Sequence, residues 1–534
     1  MNGTKINKAA HAWVWAAWGT VFSGFAAPAE GRDMKPNVLF IIADDLAARL
    51  GCYGDSTAVT PALDQLAAEG VLFERAYAAG TVCTPSRKSF LTGLSVATVG
   101  HGNNNFMKDH PETMTLPRWF REHGYQTAKV GKVEHTDEYA GPLDWDSVLK
   151  EKPVSNKGAK TLRYKSKEGI ELGYAIVRPD HEPTIDQART DAFADFVSNQ
   201  WNRSQPFFFA LGLHSPHAPW DFQQKHLNLH PAERISLPVA PAGATPMTKP
   251  PGYSGRCFAA LFDGSEEMRA RLASSFPSIG GGPEASVDDA VQKQMIQAYS
   301  AAVSMMDEMT GRVLQLLEQQ GLAENTLVVF TSDQGYFLGY RNLWSKHYLY
   351  PDVLRVPLIV RAPGLTRPAG RAGGVVELLD IFPTLCELAG LPIPDGLDGT
   401  SFVPLLKEPE LEGKPAAYAA GILFGGQAVI TRDWLCIDWV GGKRFLPTGL
   451  RAEDGKDPAD VVSRLAGTNS PNNEIKIRLD GPQRWIDVEV DLAVSREFYH
   501  IGNDPKAWFD LSGNPEVRTE MMRHLELIQR KFGR

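Results

Sequence analysis

Short, continuous apolar runs recur along the chain, and polar residues follow each of them. The runs at 36–43, 205–213 and 326–332 are rich in β-branched or aromatic residues and are too short for buried helices. Strands that are apolar on both faces are typical of a parallel sheet covered by helices on both sides. The pattern therefore predicts an α/β fold with a mostly parallel central sheet.

Helices are predicted between and after these strands. Residues 60–70 begin with a capping threonine followed by proline and end at a glycine. Residues 288–320 repeat apolar side chains every three or four positions, which predicts a long core helix. Further helices are predicted at 375–390 and 515–531.

Two domains are expected from the length of 534 residues. The run Leu391-Pro392-Ile393-Pro394 marks a boundary, which predicts a catalytic domain at 36–395 and a smaller C-terminal domain at 396–534. The stretches 143–183 and 221–287 are predicted to be long, irregular loops that help to form a substrate mouth.

The net charge of −8 argues against nucleic-acid binding as the main task. An acidic protein also has no long-range attraction for a polyanion, so such a ligand requires a local basic cluster. The stretch 143–183 offers one, formed by Lys150, Lys152, Lys157, Lys160, Arg163, Lys165 and Lys167.

The N-terminus is typical of a secretory signal peptide at residues 1–29. Lys5 and Lys8 precede an apolar run at 12–27, and Ala27-Pro28-Ala29 offers a cleavage site. The run is shorter than the ~20 residues that span a bilayer, although a membrane anchor is the alternative. We therefore expect an exported protein, periplasmic or secreted, with no integral membrane span after signal cleavage. The five cysteines form neither a disulfide framework nor a zinc motif.

Carboxylates follow two of the predicted strands. Asp44 and Asp45 come directly after the first strand, and Asp333 and Gln334 follow the strand at 326–332. Ligands of open α/β sheets bind at the carboxyl ends of the strands, and these oxygen donors favour Ca²⁺, with Mg²⁺ second. The alternative for Asp44 and Asp45 is a helix N-cap.

Cys83 is predicted to lie at a helix N-terminus, because Pro85 suits a first helical turn. Arg87, one turn later, would lie on the same face and place a cation beside the thiol. The alternative is a small buried core residue.

The sequence Cys83-x-Pro85-x-Arg87 followed by Leu91-Thr92-Gly93 resembles the signature of type I sulfatases in the alkaline phosphatase superfamily. The resemblance, closest to the iduronate-2-sulfatase-like branch, runs from about Pro36 to the C-terminus. It implies an alkaline-phosphatase-like sheet and a smaller α+β domain with an antiparallel sheet and a helix. It also implies that a formylglycine-generating enzyme oxidises Cys83 to formylglycine, whose hydrate attacks sulfur.

Further motifs resemble that family and carry its roles. Gly131-Lys132-Val133-Glu134-His135 resembles its Gly-Lys-x-x-His element, and His214-Ser215-Pro216-His217 resembles its His-x-Pro-His element. The implied catalytic residues are Cys83, Arg87, Lys132, His135, His214 and Lys346. The implied metal ligands are Asp44, Asp45, Cys83, Asp333 and Gln334.

The lysines would neutralise the sulfate and Arg87 would steady the hydrate. His214 would protonate the leaving oxygen, while His135 would deprotonate the second hydroxyl; His217 is a weaker candidate. Gln334 departs from the family's Asn or His, and Tyr340-Arg341 replaces its Glu-His.

The implied activity is hydrolysis of sulfate esters, with a sulfated saccharide as the substrate. A phosphonate or phosphate ester hydrolase of the same superfamily is one alternative, and a non-catalytic binder of sulfated glycans is another. The sequence does not specify the sugar, the ester position or exo against endo cleavage.

Overall fold

In a computed structural model of the chain, structure is described for residues 35–100, 106–135, 144–165, 171–245, 288–340, 343–421, 426–439, 442–451, 477–480, 485–492 and 495–533. The strands of these residues are β1 (Asn37–Ala43), β2 (Val71–Tyr77), β3 (Gln126–Gly131), β4 (Ser147–Leu149), β5 (Lys160–Lys165), β6 (Glu171–Arg178), β7 (Phe207–Gly212), β8 (Trp220–Gln223), β9 (Thr326–Ser332), β10 (Phe337–Leu338), β11 (Trp344–Ser345), β12 (Arg355–Val356), β13 (Leu358–Arg361), β14 (Gly370–Glu377), β15 (Ala417–Ala420), β16 (Gly426–Ile430), β17 (Leu435–Trp439), β18 (Gly442–Arg451), β19 (Ile477–Asp480), β20 (Trp485–Leu492) and β21 (Ser495–Tyr499).

The α-helices of the described residues are α1 (Pro61–Glu69), α2 (Cys83–Thr92), α3 (Val96–Val99), α4 (Phe106–Asp109), α5 (Leu116–Glu122), α6 (Ile185–Asp195), α7 (Gln224–Asn228), α8 (Asp289–Gln319), α9 (Pro351–Leu354), α10 (Ile381–Leu388), α11 (Val403–Lys407) and α12 (Arg518–Phe532). The predicted helices at 60–70, 288–320 and 515–531 are confirmed as α1, α8 and α12. None of the described helices is both long enough and apolar enough to cross a membrane.

The central sheet has nine strands in the order β12-β2-β13-β9-β1-β7-β3-β4, with β14 also paired to β2. Strand β1 runs parallel to its neighbours β7 and β9, and β3 continues this direction. Strands β12 and β13 run antiparallel to their partners. The predicted mostly parallel sheet is therefore confirmed.

Strand β1 shows why its sequence is continuously apolar. Its alternate side chains enter two different cores, with Leu39 and Ile41 on one face and Phe40 and Ile42 on the other. Helices α1, α6 and α8 cover the first face, while α2, α5 and α10 cover the second. Burial on both faces removes any need for polar side chains until the strand ends, where Asp44 follows.

Two predictions about local structure are wrong. The residues at 375–377 belong to β14, which pairs with β2, so the predicted helix begins only at Ile381. The stretch 143–183 is not a long loop, because it contains β4, β5 and β6. Strands β5, β6 and β8 form a separate sheet, and the polar residues of its edge strand β5 obscured the strand pattern.

The C-terminal part contains a four-stranded antiparallel sheet in the order β15-β16-β17-β21. Helix α12 packs on this sheet through Leu525 and Ile528, which contact the cluster of Val429, Cys436 and Phe498. The predicted antiparallel sheet with a covering helix is therefore confirmed. The boundary between 395 and 396 stays a prediction, and the predicted signal peptide and the residues at 246–287 lie outside the described residues.

Candidate active site

The ends of two neighbouring parallel strands bring the acidic residues together. Ala43 of β1 pairs with Ser332 of β9, so the residues that follow both strands leave the sheet at the same edge. The backbone N–H of Asp45 donates to Asp333 Oδ1 at 3.2 Å. Asp45 has a positive φ of 66°, which turns the chain sharply after the strand.

Tyr299 of α8 fixes this turn. Its hydroxyl donates to the carbonyl oxygen of Asp45 at 2.8 Å and accepts from the N–H of Ala47 at 3.0 Å. The sequence placed Tyr299 in a core helix, but its hydroxyl role depends on a tertiary contact over 254 positions. No local pattern could have predicted this role.

Cys83 lies at the centre of the site as the first residue of α2, as predicted. Its side chain is buried, and Sγ lies 3.3 Å from Asp44 Oδ1. The Nζ atoms of Lys346 and Lys132 lie 3.2 Å and 3.4 Å from Sγ. Burial, followed by the negative charges of Asp333 and Asp44, raises the pKa of Cys83 to about 12. The unmodified side chain is therefore a neutral thiol at neutral pH.

Each of the first two carboxylates is paired with one lysine. Lys132 Nζ lies 2.6 Å from Asp44 Oδ2, and Lys346 Nζ lies 2.5 Å from Asp45 Oδ1. Although burial opposes ionisation, Lys132 and the other nearby cations hold the pKa of Asp44 well below its usual range. Burial, with a contribution from the Asp44 charge, raises the pKa of Asp45. The lysines thus offset the cost of burying adjacent carboxylates.

Arg87 is a fully buried cation between the two acidic strand ends. Its Nε donates to Asp333 Oδ2 at 2.7 Å, and its Nη2 lies 3.4 Å from Asp44 Oδ1. Its Nη1 donates to the carbonyl oxygens of Lys132 and Val133. Arg87 therefore joins three strand ends to α2, which explains why an arginine with several fixed donors is required there.

Four side chains could hold a metal ion together. Ligand atoms of Asp44, Asp45, Cys83 and His217 all lie within 4.8 Å of one another. Among the described residues this group contains three of the predicted ligands and His217, but not Asp333, whose Oδ2 accepts from Arg87 Nε instead. Gln334 donates from Nε2 to Asp45 Oδ1, while its buried Oε1 has no hydrogen-bond partner among the described residues. Carboxylate and amide oxygens are typical ligands of Ca²⁺ and Mg²⁺.

Comparison with known proteins assigns the family. Residues 36–391 match the family model described as Sulfatase. The chain is 34% identical over 398 residues to iduronate 2-sulfatase of Mus musculus, across 67% of this chain and 69% of that protein. This chain belongs to the sulfatase family. It is therefore a sulfuric ester hydrolase.

Two solved structures share the fold of this sulfatase at 20% identity. One is a protein in complex with its substrate D-glucosamine-2-N,6-O-disulfate, with a TM-score of 0.64 over 93% of this chain and 98% of that chain. The other is the phosphonate monoester hydrolase of Silicibacter pomeroyi, with a TM-score of 0.65 over 93% of this chain and 95% of that chain.

The histidines of the sulfatase occupy different positions relative to the carboxylates. His217 Nε2 lies 3.7 Å from Asp45 Oδ2, whereas His214 Nε2 lies 3.2 Å from the carbonyl oxygen of Pro219. The two rings are neighbours, with centroids 5.6 Å apart. His217, the weaker candidate on sequence grounds, is therefore the histidine that lies at the carboxylates.

His135 has the most exposed side chain among the predicted catalytic residues. Desolvation within the cleft, followed by the positive charges of Lys132 and Arg87, lowers the pKa of His135. The imidazole is therefore neutral at neutral pH and able to accept a proton.

Asp186 positions the loop that carries His214 and His217, which we call the histidine loop. Its carboxylate oxygens accept from the N–H groups of His214 and Ser215 at 2.6 Å and 2.9 Å. Asp186 is completely buried in the first turn of α6. Sequence reasoning missed it, because an acidic residue near a helix N-terminus is ordinary without its tertiary partners.

Tyr340 lies between β10 and β11. The side chain of Lys506 lies over its ring at 4.4 Å, and the ring of Trp508 lies 6.1 Å from it. The C-terminal part therefore contacts the position where the sequence departs from the family pattern. Arg341 lies outside the described residues.

Proposed function

We propose that this sulfatase hydrolyses sulfate esters of a carbohydrate, with a nucleophile derived from Cys83 and one bound Ca²⁺. The position of Cys83 carries this proposal: its Sγ lies within 3.4 Å of two lysine Nζ atoms and within 3.3 Å of Asp44. A reacting group there would face cations that can hold the negative oxygens of a sulfate. A buried core cysteine would have no need of such charged neighbours.

The thiol itself is a poor candidate for the nucleophile, because it is neutral and buried. Conversion of Cys83 to formylglycine by a formylglycine-generating enzyme would supply an oxygen nucleophile as the aldehyde hydrate. Arg87 would hold this side chain in place through α2 and the carboxylates. Lys132 and Lys346 would bind the sulfate oxygens.

Asp44, Asp45, Asp333 and Gln334 would hold the cation, which would polarise the sulfate oxygens. Charge balance supports this assignment. Three buried carboxylates face the buried Arg87 and Lys346 and the partly exposed Lys132, so these charged residues leave no net positive charge to offer an anionic ester. A divalent cation would compensate the carboxylates and let both lysines turn to the substrate. Ca²⁺ is preferred to Mg²⁺ because the oxygen donors come from four residues rather than from water.

We assign proton donation to the leaving oxygen to His217. Its Nε2 reaches the carboxylate cluster, while the corresponding nitrogen of His214 faces a backbone carbonyl. The sequence-based assignment of this role to His214 stays a prediction. His135, with its neutral imidazole, would accept the proton that regenerates the aldehyde.

The carbohydrate part of the proposal is supported by the relatives. Iduronate 2-sulfatase is named for a sugar acid, and the structural neighbour binds a disulfated glucosamine. Family membership favours a hydrolase over a non-catalytic glycan binder. The fold shared with a phosphonate monoester hydrolase keeps phosphonate esters as the alternative substrate class.

Hydrolysis of a substrate panel tests the proposal. The protein would be co-expressed with a formylglycine-generating enzyme, and mass spectrometry of the Cys83 peptide would measure conversion. Sulfated monosaccharides and oligosaccharides, an aryl sulfate and a phosphonate monoester would be compared for wild type and Cys83→Ala. We expect sulfate release from a sugar that depends on Cys83. Phosphonate cleavage without sulfate release from confirmed converted protein would favour the alternative.

Export is the remaining part of the proposal. The signal-peptide pattern at residues 1–29 supports a periplasmic or secreted enzyme. N-terminal sequencing of the mature protein from its host should find a start close to Glu30. A start at Met1 in a cytoplasmic fraction would contradict export without affecting the proposed reaction.

A further inference from the structure

A set of exposed cations surrounds the small sheet of β5, β6 and β8. Within the described residues, five lysines of this region have no carboxylate at ion-pair distance: Lys150, Lys152, Lys157, Lys160 and Lys165. The whole chain has a net charge of −8, so these five lysines give their region a charge opposite in sign to that of the chain. These lysines therefore form a local basic surface on an acidic protein.

Strand β5 carries part of this surface on the edge of its sheet, whose order is β5-β6-β8. The inward side chain Tyr164 is buried and lies 5.8 Å from Trp220, measured between ring centroids. Arg163 and Lys165 alternate with it and are exposed. Arg163 also lies over the Tyr174 ring at 5.6 Å, which holds its guanidinium on the outer face.

The sheet register directs this surface towards the active site. Strand β8 begins at Trp220, three residues after His217, and Trp220 pairs with Ala175 of β6. Ala175 pairs with Leu162 of β5, and Lys165 lies beyond that pair on the side of the histidine loop. Two strand spacings, or about 10 Å, separate β5 from β8.

The cations continue away from the site along β5. Lys160 lies five residues from Lys165, which corresponds to about 16 Å of extended strand; this odd spacing places its side chain on the same face as Tyr164, where it is exposed at the start of the strand. Lys157 extends the row, and the loop before it is fixed by Arg178, which donates to the carbonyl oxygen of Ser155 at 2.7 Å. We call Lys157, Lys160, Arg163 and Lys165 the β5 basic strip.

We propose that the β5 basic strip binds the anionic chain of a sulfated polysaccharide while one sulfate ester lies at Cys83, an inference that rests on the proposed function. The strip is longer than a single sugar, whereas the successive charged groups of a polyanion can contact its cations one after another. The strip thus provides the local attraction that the acidic protein as a whole lacks. It predicts a preference for polymeric over monomeric substrates.

Charged residues on an edge strand also prevent unwanted pairing with another sheet. Charge reversal separates this role from polyanion binding, because glutamate protects an edge as lysine does. The test variant is therefore Lys160→Glu with Arg163→Glu and Lys165→Glu. Its matched control changes the net charge equally at exposed cations of α11 and α12, through Lys407→Glu, Arg518→Glu and Arg530→Glu.

Affinity electrophoresis of the full chain through gels that contain dextran sulfate, with unsulfated dextran as the blank, measures binding. We expect the strip variant to bind dextran sulfate about tenfold more weakly than wild type at low salt, since three charge contacts are lost. The difference should shrink as salt rises. We expect the gel to retard the control variant as much as wild type. We also expect the strip variant to release sulfate from a sulfated monosaccharide at the wild-type rate.

Two outcomes would overturn the inference: wild-type affinity of the strip variant, or an equal loss in the control variant. A third outcome separates the two proposals. If wild type binds dextran sulfate through the strip but releases no sulfate in a Cys83-dependent way, the proposed function is contradicted and the inference about the binding surface still holds. Circular dichroism of both triple variants checks that they fold.

Discussion

At the scale of single residues, the two histidines of one motif are distinguished by their neighbours. His217 faces Asp45, and His214 faces the carbonyl oxygen of Pro219. Burial and the positive charges of Lys346 and Lys132 lower the pKa of His217, although the charge of Asp44 opposes this effect. In this environment the ring is therefore neutral at neutral pH, and donation of a proton to the leaving oxygen requires that the anionic substrate first raise the pKa of His217.

His217→Asn is expected to lower kcat for a sugar sulfate by about 10²–10⁴, because a positioned acid contributes that much to departure of a poor leaving group. An aryl sulfate, whose phenolate leaves without protonation, should lose far less. His214→Asn is the matched control and should affect both substrates equally and mildly. Steady-state kinetics on the two substrates would reverse the assignment if His214→Asn shows the selective loss.

The residues that lie at the carboxyl ends of the strands were predictable from sequence. Three of them, Asp44, Asp333 and Lys132, follow predicted strands, and Cys83 begins a predicted helix. The fold brings these positions to one edge of the sheet. The choice between His214 and His217 was not predictable, because it depends on the path of a loop that carries two prolines. Asp186 was missed for the same reason: only tertiary structure places its carboxylate below that loop.

At the scale of elements, helix α8 supports the metal-binding turn rather than only filling the core. Its Tyr299 hydroxyl satisfies the carbonyl oxygen of Asp45 and the N–H of Ala47. Tyr299→Phe is expected to cost about 1–3 kcal/mol of unfolding free energy, since buried backbone groups lose their partner. Chemical denaturation measures this loss.

The same substitution should also weaken Ca²⁺ binding, because Asp45 would no longer be held at its positive φ. Isothermal titration calorimetry with CaCl₂ tests this point. An unchanged dissociation constant together with reduced stability would show that Tyr299 supports only the fold.

Elements with a single clear period were predictable, and those with mixed signals were not. Helix α8 has a long apolar repeat, and residues 38–43 of β1 are all apolar, so both elements are predictable from sequence. Strand β5 is mainly polar because it forms a sheet edge, so its sequence predicts a loop. The start of the predicted helix at 375–390 belongs to β14 instead, because these residues pair with β2, a tertiary contact that local sequence does not indicate.

At the scale of the whole molecule, bound metal should contribute to stability. A cation that binds only the folded chain stabilises it by about 2.7 kcal/mol at one hundred times its Kd. Chelation should therefore lower Tm, and CaCl₂ should restore it. Gln334→Ala should reduce this difference. Gln427→Ala is the matched control, because Gln427 lies in β16 and its buried Oε1 also has no hydrogen-bond partner within the part of the chain that the structure describes. An equal effect of chelation on wild type and Gln334→Ala would argue against the assigned ligand.

Stability is also expected to fall in mild acid because of a buried histidine remote from the proposed metal ligands. His230 is buried against α8, where its Nε2 lies 2.8 Å from Ser304 Oγ. Burial lowers the pKa of His230 to about 4. The unfolded chain takes up this proton below about pH 6.5, whereas the folded chain remains neutral until about pH 4. The unfolded state therefore binds more protons in this window, so the contribution of His230 is complete above pH 6.5 and is lost as the pH falls.

Replacement of His230 by glutamine tests this contribution, because glutamine can keep a hydrogen bond to Ser304 without titrating. The decrease in Tm between pH 7 and pH 5 should be smaller for His230→Gln than for wild type, even if its Tm at pH 7 is lower. His181→Gln is the control, since the His181 side chain is 80% exposed. Thermal unfolding measures the slope of Tm against pH across this range. Equal slopes for wild type and His230→Gln would refute the assignment, and the acid sensitivity would then belong to the histidines of the active site.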